Sequence, residues 1–382
     1  MKIDPYKHEE KYKRWMEKVK VEGIPDISKE NSKIILQYIL DMEHGLNVSL
    51  KSVKGGRSYI RLNTIKEKTI FFSKKFKEIY NLDNITQINE DQLVLFFSKM
   101  QKGDIARQDG KRYLSTNYFV KVFKAFWHWY QTINRKKGII LLDITIDLDS
   151  RGEKPKWVYL TEEQVKKLFD NAQPKYKALI MFLLDSGIRS PTELVNVKVS
   201  DLYNDCEELH IREEASKTFG RKIKLMICSD LLKQYIREES LEKDDYLFSI
   251  KPQSVNKYLK RLALRVLGEG KSLAGESYAK LTMYDFRHVS CCYWLPRYKS
   301  ESALKYRFGW KKSDKIHYYS ELLGMKDTIT EDDMFVDITK TDLEKQLNDS
   351  NRKRELLQEQ VQVMEKQMVE IRDRLAGVRE HI

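Results

Sequence analysis

LTMYDFRHVSCCYWL, residues 281–295, is an apolar helical run with an arginine, Arg287, inside it. Burying a guanidinium in such a run is costly unless a partner or a function engages it. A second segment, FGWKKSDKIHYYSEL at 308–322, carries Trp310 and two adjacent tyrosines, Tyr318 and Tyr319. A third, LLDSGIRSPTELVNVKVSDL at 183–202, sets Arg189 just after an apolar helix and a helix-ending glycine. Between the first two arginines lie two short runs of β character, ELHIRE at 208–213 and RKIKLMIC at 221–228. A loop holding Lys217 and Gly220 joins them, which predicts an antiparallel hairpin.

The rest of this half is helical. Thr161, with Glu163 and Gln164 behind it, caps one helix. An apolar helix covers 175–186 and stops at Gly187, and further helices run over 253–267 and from Thr282 onward. Upstream, 1–24 reads as a charged helical arm. Ser28 caps a helix through Ile34, Ile35, Tyr38 and Ile39 that ends at Gly45. Helical periods follow at 64–80, 90–101 and 115–134. The last presents Phe119, Val122, Phe123, Phe126, Trp127 and Tyr130 on one broad face, the pattern of a packed core. From Lys136 to Lys156 the periodicity breaks into a Lys-Lys-Gly turn and an Asp-rich run, the composition of an interdomain linker. At the far end Leu357, Val361, Met364, Met368, Ile371, Leu375, Val378 and Ile382 step by four and three, a heptad seam interrupted upstream at Ser350 and Arg354. The fold class expected is mainly α with one small antiparallel β-sheet and a C-terminal coiled coil.

The chain has 382 residues, enough for two or three domains, and 41% of them are hydrophobic. Its 70 Lys and Arg outnumber 57 Asp and Glu, for a formal charge of +13, which favours a polyanionic partner such as nucleic acid. Four cysteines (Cys206, Cys228, Cys291 and Cys292) form no CxxC pair and have no histidine cluster beside them, so no zinc or other metal and no cofactor is expected. They also make no disulfide framework, which suits a reducing cytoplasm. The N-terminal stretch lacks the apolar core of a signal peptide. No run of 18 apolar residues is present to span a membrane.

Phosphoryl transfer to a tyrosine calls for two arginines, a lysine and a tyrosine, and Arg189, Lys217, Arg287 and the tyrosines at 318 and 319 are candidates of those types. The phosphate's non-bridging oxygens need fixed positive charge, and the leaving oxygen needs a proton donor. Arginine fills the first role well, because its planar fork grips phosphate and stays charged.

Taken together these segments resemble the tyrosine recombinase (phage integrase) family, whose order is Arg, Lys on a β-hairpin, His-x-x-Arg, His or Trp, then Tyr. SGIRSPTEL resembles the first arginine box and implies Arg189. ASKTFGRKIKLMI resembles the hairpin and implies Lys217. YDFRH resembles the HxxRH box and implies Arg287. FGW resembles the box in which Trp is an accepted variant, and implies Trp310. YYSEL resembles the nucleophile box and implies Tyr319. Trp310 lies 23 residues after Arg287 and nine before Tyr319, spacings similar to those of the bacterial Xer-type enzymes. This chain departs from the pattern at four places. Tyr284 stands where the box usually has its histidine, and a phenol can still donate a hydrogen bond to phosphate. Glu193 falls one residue later than usual, Glu321 replaces the histidine usual after the nucleophile, and Tyr318 is the alternative nucleophile.

The resemblance covers 160–322 by motif and extends more loosely to 28–135. It implies an N-terminal arm (1–24), a helical core-binding domain (25–135), a linker (136–156), a catalytic domain (157–325) and an assembly helix (340–382). It implies a site-specific recombinase that cleaves and rejoins double-stranded DNA through a 3′-phosphotyrosyl link, as a homo-oligomer that is a tetramer on DNA. Integration or excision of a mobile element is the role favoured, because the coiled-coil extension lies outside the minimal Xer-like plan. Xer-like dimer resolution and a DNA-binding regulator without catalysis are the alternatives. The Xer-like spacings and short length argue against a relaxing enzyme like topoisomerase IB, and a coiled-coil scaffold would leave Arg287 unexplained.

Overall fold

The computed structural model describes residues 2–48, 54–152, 156–298 and 300–323, together with positions 350, 354 and 358. Through Tyr319 the chain forms one compact unit. The C-terminal heptad seam and most of 340–382 lie outside the described residues.

The first half is built from α1 (His8–Glu22), α2 (Lys29–His44), α3 (Tyr59–Tyr80), α4 (Glu90–Lys102) and α5 (Thr116–Arg135). Ser28 accepts a hydrogen bond from the Asn31 N–H at the head of α2, and Asn89 with Gln92 forms a capping box on α4. The broad apolar face of α5 is buried. Phe123 and Phe126 are wholly inaccessible and pack among Tyr38, Phe72, Phe76 and Phe96. Ring pairs such as Phe72–Phe123 (5.2 Å, 83°) and Phe76–Phe96 (5.1 Å, 87°) meet edge to face, each adding about 0.5–1.5 kcal/mol beyond burial. α3 starts earlier than its apolar period predicts. Leu62 is buried in its first turn, and Asn63 there donates to the His8 carbonyl of α1.

The stretch after α5 with linker composition lies along that helix. Trp127 and Gln131 donate to the carbonyls of Leu142 and Leu141, both at 3.0 Å, and Thr145 and Leu148 are buried.

The second half contains α6 (Glu162–Asp170), α7 (Pro174–Ser186), β1 (Leu202–Tyr203), β2 (Glu208–Ile211), β3 (Arg221–Lys224), α8 (Ser229–Glu238), α9 (Pro252–Leu267), α10 (Met283–Trp294), α11 (Glu301–Phe308) and α12 (Asp314–Leu322). The three strands form an antiparallel sheet in sequence order, with Leu209 paired to Ile223 and both side chains buried. Among the described residues the fold is mainly α with one small antiparallel sheet. β3 stops four residues short of the run read from sequence. The buried Asp185 carboxylate takes the N–H groups of Met226, Ile227 and Cys228 at 2.8, 2.6 and 3.1 Å, so that backbone turns away from the sheet. α8 carries one fully buried side chain, Leu232, too thin a stripe to show as a period. α10 packs on α7, and this pairing carries the functional groups. No helix among the described residues is long and apolar enough to cross a membrane.

Candidate active site

α7 ends at Gly187, whose backbone has φ +58. A Cβ there would come within 2.3 Å of the Phe308 ring and 2.8 Å of Ser290 Oγ, so glycine is required both by conformation and by space. The tight turn delivers Arg189 two residues later. Its Nη1 donates to Glu193 Oε1 at 2.6 Å and its Nη2 to the Gly309 carbonyl at 2.6 Å.

Arg287 projects from the middle of α10 and is 4% exposed. Its Nη1 donates to the Gly187 carbonyl and its Nη2 to the Phe308 carbonyl. The guanidinium carbon lies 5.3 Å from the Phe308 ring centre and 5.8 Å from that of Trp310. Burial, and then the charge of Arg189, pull its pKa down to about 10, which leaves it charged near neutrality.

β3 brings a third arginine. Arg221 is 1% exposed and binds both oxygens of Glu193, Nη2 to Oε2 at 2.8 Å and Nη1 to Oε1 at 3.2 Å. Two guanidiniums, those of Arg189 and Arg221, thus bond one carboxylate, and Arg287 lies near enough to feel its charge. The surplus positive charge, held in a largely buried setting, is suited to an anion such as phosphate. The hairpin loop is tied to the same spot, because the Thr218 hydroxyl donates to the Gly309 carbonyl at 2.9 Å. Lys217, next to it, is exposed and makes no hydrogen bond or ion pair among the described residues.

α12 carries the tyrosines. Tyr319 is 2% exposed, and its hydroxyl is hydrogen-bonded to His288 Nδ1. Its ring stacks on Trp310 (6.0 Å, 12°) and meets Trp157 edge-on (6.0 Å, 79°). Burial, reinforced by the Cys291 and Cys292 thiols, pushes its phenol well above the ordinary value, while Arg287 pulls the other way. Tyr318 faces different company: its hydroxyl accepts the Trp157 indole N–H at 2.7 Å.

Arg189, Arg287, Trp310 and Tyr319 therefore form one contiguous cluster. Lys217 stands at its rim on the hairpin loop. Tyr284 is half exposed and reaches the cluster through the edge of the His288 ring, 5.2 Å away. The sequence reading assigned no role to His288, Arg221, Trp157 or Glu193. His288 had a signal, since it follows Arg287 and lies one helical turn beyond Tyr284 on the same face. Arg221 had a weaker one, a charge on the inward-facing register of β3.

Residues 158–324 match the phage integrase family. No curated protein sequence matches the chain. Solved structures of similar fold include the Tn1549 transposon integrase in complex with circular intermediate DNA, at 14% identity and a TM-score of 0.53, covering 82% of this chain and 100% of that one. A lambda integrase tetramer bound to a Holliday junction matches at 12% identity and a TM-score of 0.56, covering 82% of this chain and 83% of that one.

Proposed function

We propose that this chain, whose residues 158–324 match the phage integrase family, is a tyrosine recombinase that cuts and rejoins double-stranded DNA at specific sites through Tyr319. The observation that carries this reading is the cluster of Arg189 and Arg287 beside the buried Tyr319, with Glu193 offsetting only part of the positive charge. Arg189 and Arg287 hold the non-bridging oxygens of the scissile phosphate. Each guanidinium carries five N–H donors, so the carbonyl and carboxylate bonds that fix its plane leave others for phosphate. Tyr319 Oη attacks phosphorus, the bond to the 5′-oxygen breaks, and Lys217 protonates that leaving oxygen. The exposed position of Lys217 on the hairpin leaves it able to follow the DNA backbone. Trp310 supports the Tyr319 ring and Tyr284 donates to phosphate from the rim. The phosphodiester energy is stored in the 3′-phosphotyrosyl bond, so rejoining needs no ATP.

The role we assign is integration or excision of a mobile element, acting in the cytoplasm on a tetramer assembled on DNA. The support is the chain's extension beyond 325, whose four–three apolar spacing suits an assembly helix. Truncation after Lys340 is then expected to spare single-site cleavage and to reduce recombination between two sites.

The test uses a library of nicked duplexes with randomised sequence around the nick. Loss of the short fragment beside the nick traps any covalent intermediate. Enrichment of one site as a covalent protein–DNA adduct is expected. Tight binding with no adduct would instead identify a DNA-binding regulator.

A further inference from the structure

Attack by Tyr319 requires its hydroxyl to give up a proton, and the phenol sits in a box that disfavours the free phenolate. Burial holds its pKa well above the ordinary value. The groups around it differ sharply in what they can accept. Arg287 stays protonated and has no lone pair to offer. The Cys291 and Cys292 thiols lie on the same helix, and burial raises both, Cys292 to about 12, so they remain protonated. Lys217 is committed to the leaving oxygen and stands at the rim. Trp157 and Trp310 offer no acceptor nitrogen.

His288 is different. Its Nδ1 is hydrogen-bonded to the Tyr319 hydroxyl. The imidazole is clamped, with the Trp157 ring over it at 4.7 Å and 31° and the Tyr284 ring against its edge at 5.2 Å and 80°. Trp157 is itself fixed by its bond to Tyr318. The clamp holds Nδ1 toward the reacting oxygen without any rearrangement of α10. We infer that His288 is the general base of this enzyme, taking the Tyr319 proton on Nδ1 as the phenol oxygen attacks the phosphate. The O–H bond of Tyr319 breaks as its electron pair goes to phosphorus. The P–O5′ bond breaks, and the 5′-oxygen takes a proton from Lys217. On religation the 5′-hydroxyl returns its proton to Lys217, and the imidazolium returns its own to the departing phenolate. A base on the same helix face as Tyr284, one turn further along, also accounts for how the site manages with a phenol at 284. The inference rests on Tyr319 being the nucleophile.

The test is single-turnover cleavage of a nicked suicide substrate by the full chain across pH 5–9, a range that brackets the usual imidazole titration. Among the described residues, the titratable groups that meet the imidazole include Tyr319 from α12 and Tyr284 from its own helix, with Arg287 beside it in sequence and Cys291 and Cys292 further along the same helix; Trp157 adds none. The wild-type rate is expected to rise along an imidazole limb. His288→Ala and His288→Gln are each expected to lose that limb and about 10²–10³-fold in rate, with DNA affinity kept. Added imidazole is expected to restore at least part of the rate to His288→Ala and none to His288→Gln, where the side chain fills the space. A retained limb, a loss below about tenfold, or a loss that imidazole leaves untouched in His288→Ala overturns the base assignment. Mass mapping of the adduct separates this from the underlying reading: an adduct on Tyr318 overturns the nucleophile, and the base with it, whereas an adduct on Tyr319 in an unaffected His288 variant overturns the base alone.

Discussion

Glu193 and Arg221 form an ion pair whose side chains are 1% and 0% exposed, and the same carboxylate holds Arg189. One buried anion thus aligns two of the cluster's cations. Burial alone would raise the Glu193 pKa, but the hydrogen bond and charge of Arg221, with Arg189 behind them, hold it down to about 2. Its folded-state value lies below the unfolded value of 4.5, so its contribution to stability is complete above that pH and disappears as pH falls toward 2. Thermal melts between pH 2 and 6 are expected to show this acid-dependent loss in the wild type and a flatter profile in Glu193→Gln. At neutral pH that variant should lose about 3–5 kcal/mol, because Arg221 is left buried without its counter-charge. Equal acid slopes in the two proteins would show that another carboxylate governs acid unfolding.

The adjacent tyrosines answer to different partners, so their variants should separate. Tyr319→Phe removes the oxygen bonded to His288 and is expected to abolish the covalent adduct while leaving DNA binding nearly intact. Tyr318→Phe removes the acceptor of the Trp157 indole and should lower cleavage modestly, since it loosens a support and leaves the attacking oxygen in place. Denaturing gels of trapped DNA decide between them; an adduct that survives Tyr319→Phe and vanishes in Tyr318→Phe shifts the nucleophile by one residue.

Arg287 and Arg189 are expected to act on rate more than on affinity. Replacing either by Ala should lower single-turnover cleavage by about 10²–10³-fold, the cost of one transition-state donor. Arg287→Lys keeps the charge but loses the fork that spans the Gly187 and Phe308 carbonyls, so it should recover little of that loss. A drop below tenfold for either alanine variant would remove that arginine from the phosphate site.

Asp185 ties α7 to the chain after β3 and to Arg307, whose Nη2 lies 3.0 Å from Oδ1. Both side chains are almost wholly buried. Asp185→Asn keeps the shape, removes the charge and leaves Arg307 uncompensated, for an expected loss of about 3–5 kcal/mol in urea unfolding. A change under about 1 kcal/mol would mean that the Arg307 bonds to the Lys224 carbonyl and the Tyr298 hydroxyl suffice.

Much of this protein was determined by sequence alone because the signals are local. Capping residues at Ser28 and Thr161, the glycine that ends α7, the apolar face of α5 and the alternating burial of β2 and β3 all act within a few residues. So does the conflict of an arginine in the apolar run 281–295, which marked Arg287 before any partner was known. What tertiary structure decided depends on groups far apart in the chain. The carbonyls that hold Arg287 belong to residues 100 and 21 positions away. Glu193 meets Arg221 across 28 residues, and Asp185 ends β3 from 41 residues upstream. Tyr318 and Tyr319 are alike in sequence, and what separates them is that consecutive helical side chains point about 100° apart. The hydroxyl of Tyr318 therefore meets the Trp157 indole N–H and that of Tyr319 meets His288, and no spacing within α12 carries that difference.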